Sequence, residues 1–74
     1  MQIIQNFFVN IDKAEVSQDM QNLVSDGVID SLDIMALVAQ IERHYKKPLD
    51  AKFIDTENFQ SFEAISKMLK DAYE

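Results

Sequence analysis

Asp26-Gly27-Val28-Ile29-Asp30-Ser31-Leu32-Asp33 is the stretch on which the reading of this chain turns. Gly27 is the only glycine, and it supplies the backbone freedom that a tight approach to a helix requires. Asp30 is a good N-cap residue, and Asp33, three positions on, puts a second carboxylate into the first turn. From Leu32 to Tyr45 apolar residues recur at helical spacing with no glycine or proline to interrupt them. Ser31 is therefore expected at the N-terminal end of a helix, where an ordered loop runs out.

That helix is predicted over residues 31 to 46. Its stripe is Ile34, Leu37, Val38, Ile41 and Tyr45, the spacing of one buried face. Leu32, Met35, Ala36 and Ala39 are left over and cluster on the opposite face at about 100° per residue. A chain of 74 residues cannot readily bury a helix on all sides. Leu32 and Met35 are thus expected to form a small exposed apolar patch beside Ser31. Lys46-Lys47-Pro48 closes the helix, since cations suit a helix C-terminus and proline disfavours helix at the residue before it.

Upstream, Ile4, Phe7, Phe8 and Ile11 share one helical face and predict a first helix from residue 3 to about 14. Residues 15 to 29 have weaker periodicity. Met20, Leu23 and Val24 are the candidates to pin this loop, through a short helical turn. A loop of that length in so small a domain is functional or packed by its own side chains. Downstream, residues 49 to 54 read as a connector and 56 to 60 as one short turn capped by Thr56. Ser61 is the expected N-cap of a last helix with the stripe Phe62, Ile65, Leu69 and Ala72, and Met68 beside it. Its capping box is incomplete, because Ala64 stands where Glu is wanted. Strand-like alternation, repeats and low-complexity tracts are missing, so the class is all-α in one domain.

Composition limits the chemistry. The net charge of −6, from 13 acidic and 7 basic residues, argues against nucleic acid, which needs a basic face, and favours partners with basic docking surfaces. With no cysteine and one histidine, neither a disulfide nor a zinc site is expected. An EF-hand register through Gly27 puts Val24 at a ligand position, which removes calcium. No stretch is apolar enough to span a bilayer, and Met1-Gln2-Ile3-Ile4 lacks the basic start of a signal peptide, so a cytoplasmic protein is expected; a monomer is the expected state. A catalytic Ser31 would need a base within hydrogen-bond reach. His44 lies thirteen residues along the same helix, about 20 Å away at 1.5 Å per residue, and reads as a solvated residue near the helix end.

The Asp30-Ser31-Leu32 triplet, the glycine three residues before it, the amphipathic helix after it, the length and the acidity together resemble the acyl carrier and peptidyl carrier proteins, from about Ile4 to Leu69. The resemblance implies a four-helix bundle of three longer helices and one short one. It implies 4′-phosphopantetheine attached covalently to Ser31 by a phosphopantetheinyl transferase. The arm would hold an acyl or aminoacyl group as a thioester, loaded by a ligase and presented to downstream biosynthetic enzymes, and the chain itself would catalyse nothing. Asp30, Leu32, Asp33, Met35, Ala36 and Ala39 would make up the partner-binding surface around the arm. A phosphodiester at Ser31 would also be favoured by the free N–H groups and dipole of the helix N-terminus.

The chain departs from the strongly acidic second helix of the fatty acid synthesis carriers. Ala36 stands where glutamate is typical, Arg43 and His44 replace acidic residues, and Lys46 and Lys47 follow, though Asp33 and Glu42 remain. The resemblance therefore points to a stand-alone carrier in a specialised pathway: polyketide, nonribosomal peptide or D-alanyl transfer. The competing reading is a small acidic helical adaptor without a prosthetic group.

Overall fold

Three amphipathic stripes and a loop that carries its own apolar anchors build this molecule. In the computed structural model, which describes residues 2–74, they form α1 (Gln2–Asn10), α2 (Ser31–Tyr45) and α3 (Phe62–Tyr73). Two short 3-10 turns, Ala51–Phe53 and Thr56–Phe59, lie between α2 and α3, and the described residues contain no strand. The class is all-α, as the periodicity predicts. No helix is long and apolar enough to cross a membrane among the described residues.

Ile4, Phe7 and Phe8 of α1 are buried against Ile34, Leu37, Val38 and Ile41 of α2 and Phe62, Ile65, Met68 and Leu69 of α3. The rings of Phe8 and Phe62 stack 5.2 Å apart at the centre. Met68, read as flanking the α3 stripe, belongs to the core, whereas Ile11, Tyr45 and Ala72 are only half-buried at its edge.

The first helix stops earlier than its stripe suggests. Asp12 adopts a left-handed φ of 64°. The Lys13 N–H donates to the Phe8 carbonyl at 2.8 Å and the Asp12 N–H to the Val9 carbonyl at 3.1 Å. That pair of bonds is a Schellman motif with aspartate where glycine is usual, and it ends α1 at Asn10 rather than near residue 14. Apolar spacing could not reveal this, because Ile11 still falls on the stripe after the backbone has turned.

The segment from Ile11 to Asp30 contains turns but no helix. Val16, Leu23 and Ile29 are fully buried, and Met20 and Val24 are half-buried. Leu23 is thus an anchor as expected, and Val16 and Ile29 are two that the periodicity missed. The loop's backbone polar groups are satisfied partly by its own turns and partly from outside it, as burial requires. The Gln5 carboxamide donates to the Val16 carbonyl at 2.9 Å. The Leu23 N–H donates to the Gln60 carbonyl at 2.9 Å, and the Gln60 side-chain oxygen accepts from Val24 N–H at 3.0 Å and Ser25 N–H at 3.2 Å.

At the other end of α2, Lys46 takes a left-handed φ of 59° and its N–H donates to the Glu42 carbonyl. The Glu42 carboxylate accepts from Leu49 N–H at 2.8 Å, which fixes buried Leu49 beneath the helix end. Tyr45 and Tyr73 stack 4.1 Å apart, and the Tyr73 hydroxyl donates to the Lys47 carbonyl at 3.2 Å. Burial first, then the nearby Glu42 and Tyr45, raise the Tyr73 pKa and so keep that donor protonated. The connector holds the 3-10 turn Ala51–Phe53 capped by Asp50, and the next turn is capped by Asp55 rather than by Thr56. Both aspartates precede their turns by one residue, the usual capping place. Ser61 caps α3 as read, its hydroxyl accepting from Ala64 N–H at 3.0 Å.

Candidate functional site

The Asp26–Asp33 stretch becomes a sharp entry into α2. Gly27 has φ 74°, and its N–H donates to the Val24 carbonyl at 3.1 Å. A Cβ at this position would meet nothing within 4 Å, so glycine is needed for conformation and not for space. Ile29 then drops into the core, its N–H bonded to the Leu23 carbonyl at 3.0 Å. That anchor fixes where Asp30 and Ser31 emerge.

Asp30 and Asp33 form a reciprocal capping box. The Asp33 N–H donates to Asp30 Oδ1 at 3.0 Å, and the Asp30 N–H donates to Asp33 Oδ2 at 3.1 Å. Ser31 is the first helical residue and is exposed. The capping box satisfies the Asp33 N–H and leaves the Ser31 and Leu32 N–H groups at the free end of the helix, the end that favours negative charge.

The structure adds a residue that sequence reasoning missed. Lys13, just past the end of α1, donates from Nζ to the Val28 carbonyl at 3.3 Å and lies 3.6 Å from Asp33 Oδ2. It is the one ion pair among the described residues. Lys13 thereby ties the loop before Ser31 to the first turn of α2. Nothing in the periodicity of residues 3 to 14 could signal this, because Lys13 lies beyond the helix and works through a turn.

The outward face of α2 is apolar at this end. Leu32 is 78% exposed and Met35 55% exposed, and with Val9 they are the large exposed hydrophobic residues among those described. Ala39 is exposed on the same face, while Ala36 is half-buried at its margin. Asp30 is exposed and Asp33 half-buried. Leu32 does not fold back on Val28 or Ile29, so the patch beside Ser31 is open.

His44 sits at the far end of α2, edge-on to Phe7 at 5.9 Å and to Tyr45 at 4.9 Å between ring centres. It is exposed, as the sequence suggests, and remote from Ser31. No group of three metal-binding side chains comes together among the described residues. No known family, curated protein or solved structure matches this chain. The site's chemistry is therefore carried by its own residues. The site is an exposed hydroxyl at a capped helix start, with the Asp30 and Asp33 carboxylates engaged in the cap and apolar side chains beside it.

The loop that presents Ser31 hangs on Gln60. Gln60→Ala removes the acceptor for the Val24 and Ser25 N–H groups and a donor to the Ser25 hydroxyl at 2.9 Å. Losing these bonds is expected to cost about 1–3 kcal/mol. Amide exchange at Val24 and Ser25 should accelerate well beyond that at Ile41. Unchanged protection at both amides would mean that the loop is held by its apolar anchors alone.

Proposed function

We propose that this chain is a stand-alone carrier protein that receives 4′-phosphopantetheine on Ser31. One observation carries the reading: the serine of an Asp-Ser-Leu triplet is exposed in the first turn of a capped helix, with Leu32 and Met35 exposed beside it. On this reading α1, α2 and α3 would be the three longer helices of a carrier bundle, and the 3-10 turn Thr56–Phe59 would correspond to its short one. The attached group would supply a thiol on which an acyl or aminoacyl cargo is held as a thioester. The chain's own residues supply the hydroxyl, two free amide donors for the phosphodiester, and the docking face. Asp30 is the outward carboxylate of that face. Asp33 is engaged by the cap and by Lys13, so it acts mainly by holding Asp30 and the loop in place. Ala36 and Ala39 allow close approach along the helix. The basic end of α2 supports a specialised pathway over general fatty acid synthesis.

Intact mass after incubation with coenzyme A and a broad-specificity phosphopantetheinyl transferase tests this. One phosphopantetheine is expected on the wild type and none on Ser31→Ala, with both variants equally helical by circular dichroism. An unmodified wild type would favour an acidic helical adaptor, and modification of Ser31→Ala would place the acceptor elsewhere.

A further inference from the structure

The chain's only arginine and only histidine stand side by side, and both line the same groove. α1 and α2 run antiparallel: Asn10 bonds Gln40 at 3.0 Å, and Phe7 meets His44. Between them lies an open groove of about 580 Å³, with Ile3 and Phe7 as its apolar floor and Arg43 and His44 on its wall. That volume lies within the usual range for small-molecule sites. The Asn10–Gln40 bond crosses the groove from helix to helix, and a Gln2–Asn6 bond at 3.0 Å occupies two further rim carboxamides.

The charge of this groove is the reverse of the molecule's. The protein carries −6, yet no carboxylate lines the groove. The first turn of α1, which lies beside the last turn of α2, has no acidic residue. Glu42, next to Arg43 in sequence, is turned to Leu49 N–H on another side of the helix. The single ion pair among the described residues is Lys13–Asp33, so Arg43 is not neutralised by a side chain of its own chain. Lys46 and Lys47 follow within a turn and add to the local positive field.

We propose that the α1–α2 groove binds a small carboxylate with an aromatic or branched apolar body. The body lies on Phe7 and Ile3 with its edge toward the His44 ring, and the Arg43 guanidinium takes the carboxylate through its paired N–H donors. Guanidinium suits this role because its planar fork matches a carboxylate. The groove lies at the opposite end of α2 from Ser31, so this inference is independent of the carrier reading.

The probe is 3-phenylpropionate, titrated into ¹⁵N-labelled protein to millimolar concentration, with acetate and 3-phenylpropan-1-ol as controls. Saturable shifts confined to the amides of Asn6, Phe7, Asn10, Gln40, Arg43 and His44 are expected with phenylpropionate. Acetate and the alcohol should give little, since each lacks one half of the ligand. Arg43→Gln, an exposed position that keeps the helix, should weaken the affinity about tenfold with an otherwise native spectrum. Phe7→Leu should keep the fold and also weaken binding. Absent or scattered shifts, an equal response to the alcohol, or undiminished affinity in Arg43→Gln would overturn the proposal.

Discussion

Ile41→Ala lowers the melting temperature by roughly 10 °C or more. Ile41 is fully buried in the C-terminal half of α2, in a core made by residues from all three helices. Removing its branched side chain loses the transfer free energy of the deleted carbons and leaves a cavity, for a total of about 2–5 kcal/mol. A domain of this length has about 4–11 kcal/mol in all. The substitution therefore consumes a large share of the stability, and some of the molecules unfold at ordinary temperature. Alanine is the best helix former, so the loss comes from packing and not from propensity. Ellipticity at 222 nm against temperature checks it. Leu37→Ala, equally buried, should behave alike, and a melting point that stays put for both would mean that α2 packs on another face.

The sequence made the helices legible where burial is periodic. Ile34, Leu37, Val38 and Ile41 are buried as their spacing requires, and Leu32 and Met35 are exposed because the opposite face has nothing to pack on. The start of α2 was equally readable, since a capping box is a local device and Asp30 and Asp33 carry it whole. Legibility fails where the backbone turns against its pattern. Asp12 ends α1 by adopting a conformation that its side chain does not announce, and Ile11 continues the stripe past the true end. It fails again where the loop is held by long-range polar contacts. Gln60 reaches Val24 and Ser25, and Lys13 reaches Val28 and Asp33, across separations that no sequence period encodes. Val16 and Ile29 are single anchors in an aperiodic segment, and one buried residue at a time produces no pattern. The candidate site is therefore half local and half tertiary: the capped serine could be read off the chain, and the lysine that steadies it could not.

Met35→Ala separates recognition from stability on the face beside Ser31. Met35 is more than half exposed and lies on the side of α2 away from the core, so its truncation should change stability by no more than about 0.5 kcal/mol. A flexible, polarizable side chain on such a patch suits contact with a partner enzyme. If transferases dock there, the lost contact is worth about 1–2 kcal/mol, which lowers kcat/KM for phosphopantetheine transfer roughly 5- to 30-fold. Leu32→Ala, exposed further and adjacent to the acceptor, should match or exceed that loss. The acidic residues need a different variant. Asp33→Lys breaks the capping box and puts a cation against Lys13, so it would slow transfer by loosening the helix start as well as by weakening attraction. Asp26→Asn is the cleaner probe of steering, because Asp26 is exposed and its side chain makes no bond to the cap. Its effect on kcat/KM should be a few-fold at low salt and vanish at high salt, as screening of exposed charges dictates. Met35→Ala that melts early while accepting phosphopantetheine at the wild-type rate would remove this face from recognition. The docking surface would then have to be sought on the loop between Asn22 and Asp30, which reaches Ser31 from the other side.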